Sequence, residues 1–344
     1  MPEIRQDPIT GRWVIFSPAR SARPHDLEPA PPKHTGTICP FCEGHENLSS
    51  AEVHALRLAG SQANQPGWQV RVVPNRFPAL EVDSGEIDPS DGEPGYKTLP
   101  GWGIHEVIVE SPRHLTTTSQ LSLAELTGVL SIYRQRLAVL AAIPRVRYGL
   151  VFKNVGLAAG ASLEHLHSQL LGTEMIPSTV VEELTGAGHY FQRNGQCAWC
   201  RMVDDAVQGG PRVVAEEGPF VALCPPAARF SWETWILPRQ HAGHFHAMQE
   251  SSLAQLAQLT GRVLGSMERV IPRLAYNYII HSAPFDTHSL DHYHWHMEII
   301  PRVASIAGFE WGTGYFINPV LPEVAAESLR RADHMADDRA TESR

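Results

Sequence analysis

The sequence predicts an α+β fold built from two tandem repeats, each an antiparallel β-sheet carrying one long helix. Three observations predict it. The same landmarks recur in the same order in the two halves of the 344-residue chain. Each half holds one amphipathic stretch that opens on a serine and halts at a proline. Each half then reaches a His-x-His pair among apolar residues. Self-similarity of this kind marks a duplicated supersecondary unit. The repeats are assigned to residues 1–178 and 179–329, with a polar tail at 330–344.

The elements follow in order. Each repeat has a Cys-x-x-Cys, Cys39/Cys42 and Cys197/Cys200. A strand-like apolar run comes next and stops at Pro-Arg with a histidine close behind: Val107 to His114 in the first half, Trp235 to His241 in the second. Helices should start at Ser122, with Glu125 three residues on, and at Ser252, with Gln255; both have capping-box spacing. Leu123, Leu126, Leu130, Tyr133 and Leu137 make one apolar face, and Leu253, Leu256, Leu259, Val263, Met267 and Val270 the other. Pro144 and Pro272 stop the helices, and Gly149-Leu150-Val151-Phe152 and Asn277-Tyr278-Ile279-Ile280 then read as strands. His165-Leu166-His167 and His294-Trp295-His296 complete the repeats, and alternation along a strand would put both histidines of a pair on one face. The Pro/Gly-rich stretches at 29–32 and 88–95 are loops, too short to be domain linkers. From Arg330 the chain is charged and lacks an apolar period, which predicts a frayed tail.

A formal charge of −9 argues against a general nucleic-acid or anionic-membrane surface, so any phosphate site must be local. The longest apolar run, Leu137 to Ile143, falls far short of the roughly 20 residues that span a bilayer. Met1 to Arg5 has no apolar segment behind it of the kind that a secretory signal needs. A cytoplasmic protein with neither nucleic acid nor membrane as partner is expected.

Cytosolic cysteines in Cys-x-x-Cys pairs point to metal before disulfide, and a structural zinc commonly takes two such cysteines plus two histidines from elsewhere. The first half supplies Cys39, Cys42, His114 and His165, and the second supplies Cys197, Cys200, His241 and His294 at matching places. Two zinc ions per chain are expected. His45 is a rival ligand in the first set and His244 in the second, where His241 is preferred. Cys224 stands alone and reads as a small buried hydrophobe.

With His165 assigned to metal, His167 is left for chemistry. The loop from Asn154 to Ser162 carries Gly156 and Gly160, whose flexibility lets backbone amides approach an anion closely. Two residues past His167 stands Gln169, an amide able to donate to a phosphoryl oxygen; two past His296 stands Glu298, which would repel one. Only the first His-x-His therefore has a donor placed to steady an anionic transition state, and the nucleophile is assigned to His167.

These residues resemble the histidine-triad superfamily, and more narrowly the galactose-1-phosphate uridylyltransferase family, from about Arg5 to Leu329. The resemblance is carried by Asp7 to Arg20 with Arg23-Pro24, by Pro74-Asn75-Arg76-Phe77-Pro78, by Phe152-Lys153-Asn154 and by His165 to Gln169. It implies that each repeat is histidine-triad-like. It also implies a double-displacement nucleotidyl transfer: His167 attacks the α-phosphorus of a nucleoside diphosphate sugar, a sugar 1-phosphate leaves, and a second phosphate acceptor takes the nucleotidyl group. By the same resemblance Gln169 binds the transferred group, Ser162 the leaving phosphate, Arg20 and Arg23 the nucleotide phosphates, and Asn75 and Asn154 the nucleotide pocket, while Gly160 is a candidate substrate-binding residue through the glycine loop. A homodimer is implied as well.

Two departures narrow the expectation. Leu166 stands where the family usually has proline, and the segment Gly308 to Asn318 lacks the tyrosine-acid pair typical of the hexose-binding end. That segment and the second Cys-x-x-Cys look more like the ADP-glucose phosphorylase-type branch. The leading expectation is a UDP-glucose–hexose-1-phosphate uridylyltransferase type of enzyme. An ADP-glucose phosphorylase-like adenylyltransferase with phosphate as acceptor is the alternative, followed by a nucleotide-releasing hydrolase. A non-catalytic, zinc-stapled nucleotide-binding protein is the reading from a different class. Glu183, His281, His294 and His296 match an iron or zinc site of classical members, and that set competes with the second cysteine set for His294.

Overall fold

The computed structural model describes residues 3–16, 38–83, 100–287 and 290–342. In chain order it holds β1 (Glu3–Gln6), β2 (Trp13–Phe16), β3 (His54–Arg57), β4 (Trp68–Pro74), β5 (Gly103–Val109), α1 (Leu123–Ala141), β6 (Tyr148–Val155), β7 (His167–Thr173), α2 (Ser178–Asn194) and α3 (Ala198–Val207). It continues with β8 (Val213–Glu217), β9 (Phe220–Leu223), β10 (Thr234–Pro238), α4 (Leu253–Val270), β11 (Tyr276–His281), β12 (His296–Pro301), α5 (Gly308–Thr313), β13 (Phe316–Asn318) and α6 (Pro322–Glu342).

One ten-stranded antiparallel sheet dominates, in the order β3-β4-β5-β7-β6-β11-β12-β10-β9-β8. Outward from the β6/β11 junction, each half runs through corresponding strands, so β6 answers to β11, β7 to β12 and β5 to β10. Each half contributes an antiparallel sheet of five strands, as expected, and the two are continuous: β6 and β11 hydrogen-bond from Tyr276 opposite Val155 to Ile280 opposite Val151. Pairing satisfies backbone groups that would otherwise form open inner edges. A separate three-stranded sheet joins β1, β2 and β13.

Both long helices lie on one face of the sheet. Leu126, Leu130, Tyr133 and Leu137 of α1 share a core with Leu256, Val263 and Met267 of α4 and with Val151, Leu170, Ile280 and Met297 from the strands. Each such aliphatic side chain contributes roughly 1.5–3 kcal/mol on full burial, so the apolar stripe holds the helices in place. Leu123, assigned to that stripe, is instead about half exposed at the first turn. Ser122 forms the expected capping box with Glu125. Ser252 does not with Gln255: a 3-10 turn over Glu250–Ser252 runs straight into α4 and leaves Ser252 in helical dihedrals, where its hydroxyl makes no cap.

The expected frayed tail is also corrected. Helix α6 continues from Pro322 to Glu342, with Ala332 and Asp333 buried and Asp333 accepting from Arg262 at 2.7 Å. Its polar composition hid a helix held by ion pairs and by packing on α4. No described helix is long and apolar enough to cross a membrane.

Candidate active site and metal centres

On the other face of the sheet the halves differ. Helices α2 and α3 cover the second half, burying Ala187, Trp199, Met202 and Val203 with Val221, Leu223 and Trp235. Over the first half, strands β6 and β7 alternate between buried and half-buried residues, with Phe152, Asn154 and Gln169 on the partly open side. A strand shows its alternate residues to one face, so Phe152, Asn154 and Gln169 share one partly open side of the sheet.

The Cys-x-x-Cys turns meet the His-x-His pairs. Cys39, Cys42, His114 and His165 gather with their ligand atoms all within 4.8 Å of one another, and so do Cys197, Cys200, His241 and His294. His165 Nδ1 stands 3.5 Å from Cys39 Sγ and 3.6 Å from Cys42 Sγ, while His114 Nδ1 is 3.4 Å from Cys42 Sγ. In the second cluster His241 and His294 place Nδ1 3.3 and 3.5 Å from Cys200 Sγ. His165 Nε2 donates to the Ser111 carbonyl, His241 Nε2 to that of Leu290, and His294 Nε2 to that of Pro238. Each carbonyl fixes the tautomer, so Nδ1 presents its lone pair to the cysteines, as a ligating imidazole must. The donor sets fit zinc. His45 bonds the Cys39 carbonyl through Nδ1, and His244 the Thr287 carbonyl, so neither rival joins a cluster. The contact between the two thiols holds Cys197 far below its usual range and pushes Cys200 up.

His165 and His167 both contact Phe41 of the first Cys-x-x-Cys turn, with ring centroids 6.0 and 5.3 Å away. Strand β7 begins at His167, so His165 sits just before it and turns to the cysteines. His167 is 7% exposed and donates through Nδ1 to the His165 carbonyl at 2.7 Å. Burial holds its pKa below the ordinary value, so the ring is neutral at neutral pH with its free lone pair on Nε2. A neutral, tautomer-fixed imidazole is chemically a nucleophile.

Gln169 lies two residues on, and its Oε1 is 2.8 Å from His105 Nε2. Asn75 Nδ2 is 3.0 Å from the same His105 nitrogen. Asn154 meets Asn277 across the β6/β11 junction, with Asn277 Nδ2 donating to Asn154 Oδ1 at 2.8 Å. Gly156 and Gly160 take φ of 81° and 83°, conformations that favour glycine; a Cβ on Gly160 would meet nothing within 4 Å. Ser162 is exposed in the same loop. The structure thus places Asn75, Gln169 and His167 around one face of β5 and β7, with Asn154 and the glycine loop beside them. Arg20 and Arg23 lie outside the described residues. His105 and Asn277 escaped sequence reasoning, because strand pairing alone puts them beside Gln169 and Asn154.

The second half repeats the His167 geometry at His296, whose Nδ1 donates to the His294 carbonyl at 3.1 Å. Its surroundings are filled. The His296 ring stacks on His281 at 4.6 Å and lies between Trp199 and Trp235. Glu298 pairs with Arg229, Glu183 accepts from Tyr293 at 2.9 Å, and His281 stands between Glu183 at 3.2 Å and Glu298 at 3.4 Å. A cavity of about 20 Å³ remains there, room for a water and not for a nucleotide. Glu183, His281 and His296 also lie within 4.8 Å of one another, but His294 is turned to the cysteines, so the competing four-residue set is not assembled.

A family model described as galactose-1-phosphate uridyl transferase, N-terminal domain, matches residues 1–177. A second, a domain of unknown function, matches residues 109–342. The ADP-glucose phosphorylase of Arabidopsis thaliana is 35% identical, over 96% of this chain and 92% of its own length. The galactose-1-phosphate uridylyltransferase of Thermotoga maritima is 26% identical, over 97% of this chain and 99% of its own. Among solved structures, the Arabidopsis thaliana ADP-glucose phosphorylase with bound ADP-glucose aligns with a TM-score of 0.82 at 34% identity, covering 96% of this chain and 98% of that one. A uridylyltransferase structure aligns with a TM-score of 0.76 at 26% identity, covering 97% and 99%.

Proposed function

The chain belongs to the galactose-1-phosphate uridyl transferase family of nucleotidyl-transferring enzymes, and from that premise we propose that His167 carries a nucleotidyl group from a nucleoside diphosphate sugar to a phosphate acceptor. The observation that carries this reading is the bond from His167 Nδ1 to the His165 carbonyl, which leaves the Nε2 lone pair free. Nε2 bonds to the α-phosphorus while the bond from that phosphorus to the bridging oxygen breaks, and the sugar 1-phosphate leaves with the electron pair. The His165 carbonyl supports the positive charge that the ring acquires. Gln169 donates to the phosphoryl oxygens, Asn154 and Asn75 hold the nucleotide, and Ser162 with the Gly160 loop receives the leaving phosphate. An oxygen of the acceptor phosphate then displaces His167 and restores the neutral ring.

Cys39, Cys42, His114 and His165 would hold one zinc, and Cys197, Cys200, His241 and His294 a second. Bound there, the ions supply structural cross-links rather than Lewis-acid chemistry. The first link bears on the chemistry through His165, whose carbonyl is the group that fixes His167. The functional unit on this reading is a homodimer in the cytoplasm.

Two donors divide the reading. The 35% identity to ADP-glucose phosphorylase over 96% of the chain, together with the second cysteine cluster, favours an adenylyl group with inorganic phosphate as acceptor. The family model favours a uridylyl group passed from UDP-glucose to a hexose 1-phosphate. Mixing the protein separately with ADP-glucose and UDP-glucose and weighing it intact distinguishes them by the added mass of AMP or UMP. No covalent adduct with either would refute the double-displacement mechanism.

A further inference from the structure

The amides that surround His167 are not free to choose which end they show a ligand, and fixed backbone groups decide for them. Two chains of hydrogen bonds show how. The Ala79 backbone N–H donates to His105 Nδ1 at 2.9 Å. A backbone N–H can only donate, so Nδ1 is the unprotonated nitrogen and the ring proton of neutral His105 is on Nε2. His105 Nε2 then donates to Gln169 Oε1 at 2.8 Å, which uses the oxygen of Gln169 and leaves its NH₂ for a ligand.

The second chain starts from a carbonyl. Asn277 Nδ2 lies 2.9 Å from the Ala159 carbonyl oxygen in the glycine loop and 2.8 Å from Asn154 Oδ1. A backbone carbonyl can only accept, so the Asn277 atom there is its NH₂, and its second hydrogen meets an acceptor on Asn154. The oxygen of Asn154 is thereby used and its NH₂ left over. Asn75 follows suit: its Oδ1 accepts from the Phe77 N–H at 2.9 Å. Asn75 Nδ2 sits 3.0 Å from His105 Nε2, where two donors cannot satisfy one another, so its hydrogens also remain for a ligand.

We infer that His105 and Asn277 are positioning residues which lock Gln169 and Asn154 with their NH₂ groups toward the ligand, so that these two amides present donors beside the His167 lone pair and favour the phosphoryl anion. Asn277 comes from the second half and Asn154 from the first, so the polarity of this site is set across the β6/β11 junction. An amide free to flip would turn an oxygen to the phosphoryl group in part of the molecules. The locked arrangement removes that repelling state and needs no reorganisation during transfer. The consequence for turnover rests on the nucleotidyl-transfer reading; the direction of the amides does not.

The test has one arm for each. In ¹⁵N-labelled protein, with the His105 signals identified by their loss in His105→Phe, the ring should be the Nε2–H tautomer; an Nδ1–H tautomer would overturn the inference whatever the enzyme does. The second arm measures AMP and UMP affinity by calorimetry and the rate of first-turnover adduct formation. His105→Phe should slow the adduct by roughly 10- to 100-fold, as Gln169→Ala does, and the double variant should be no slower than Gln169→Ala alone. Asn277→Leu with Asn154→Ala should be non-additive in nucleotide affinity in the same way. Additive losses in both pairs would reduce His105 and Asn277 to packing residues and overturn the inference. If the wild-type protein binds neither nucleotide, the transfer reading fails, and the tautomer still decides the direction of the amides.

Discussion

Lys153 and Glu110 form an ion pair in which neither side chain meets solvent. Glu110 also accepts from the Tyr133 hydroxyl at 2.7 Å, and Tyr133 in turn meets Tyr278. Lys153 lies between Phe152 and Asn154, which face the partly open side of the sheet, but on the opposite, helix-covered face. Removing one partner of such a pair strands a charge without water. Lys153→Met should therefore destabilise the protein by about 3–5 kcal/mol in denaturant titrations. The pair Lys153→Met with Glu110→Gln should recover much of that loss, because no lone charge remains. A single variant as stable as wild type would show that the pair is not the buried tie it is taken for.

The contrast between the two His-x-His pairs gives a second expectation. His167→Gly should abolish both turnover and the covalent nucleotidyl adduct. His296→Gly should leave the adduct detectable, because His296 is walled in by His281, Trp199 and Trp235. Added imidazole should partly rescue the His167→Gly protein by filling the vacated space. An adduct of undiminished yield on that variant would move the nucleophile elsewhere.

Metal content follows from the two gathered clusters. Carefully replete protein should carry close to two zinc ions per chain, and stripping them should lower the melting temperature, since metal binding to such sites is coupled to folding. Cys42→Ser should lose one ion and Cys200→Ser the other. Elemental analysis finding less than half an equivalent in total would refute the structural-zinc reading.

The pH dependence of stability has a predictable shape. Burial opposes ionisation of Glu183, yet the charge and hydrogen bond of His281 hold its pKa at about 2 against an ordinary 4.5. His281, likewise buried, is raised by Glu183 and Glu298 from 6.5 to about 10. A depressed carboxyl stabilises above its unfolded value and loses that contribution as the pH falls toward 2. A raised histidine stabilises fully below 6.5 and loses its contribution as the pH climbs through 10. From this pair, stability should be level between about pH 4.5 and 6.5 and decline on both sides. Melting curves across pH read this directly, and His281→Gln should flatten the alkaline limb. An unchanged alkaline limb in that variant would assign the decline to other groups.

Much of this was legible in the sequence because the relevant signals are local or repeated. The Ser122–Glu125 cap, the apolar stripe of α1 and the spacing of the Cys-x-x-Cys pairs need no knowledge of distant contacts. The recurrence of the same landmarks then let one half corroborate the other, which is how His114 and His241 were picked from eighteen histidines. What escaped depends on pairing in three dimensions. Nothing in the chain near Asn277 says that it will lie opposite Asn154, and nothing near His105 says that β5 will run beside β7. Helix α6 was missed for another reason: its stripe is interrupted by Asp333, a buried acidic residue paired with the half-buried Arg262, and a hydrophobic period cannot register an ion pair.

The seam where β6 meets β11 gives the second half a duty unrelated to nucleotides. Without it, the first half would end in a bare strand whose amides and carbonyls alternate outward along Tyr148–Val155, a template for any other chain in extended conformation. The second half thus serves as a permanent guard against self-association of the first. A chain cut at residue 178 would be expected to stick to itself before it could be asked to catalyse anything.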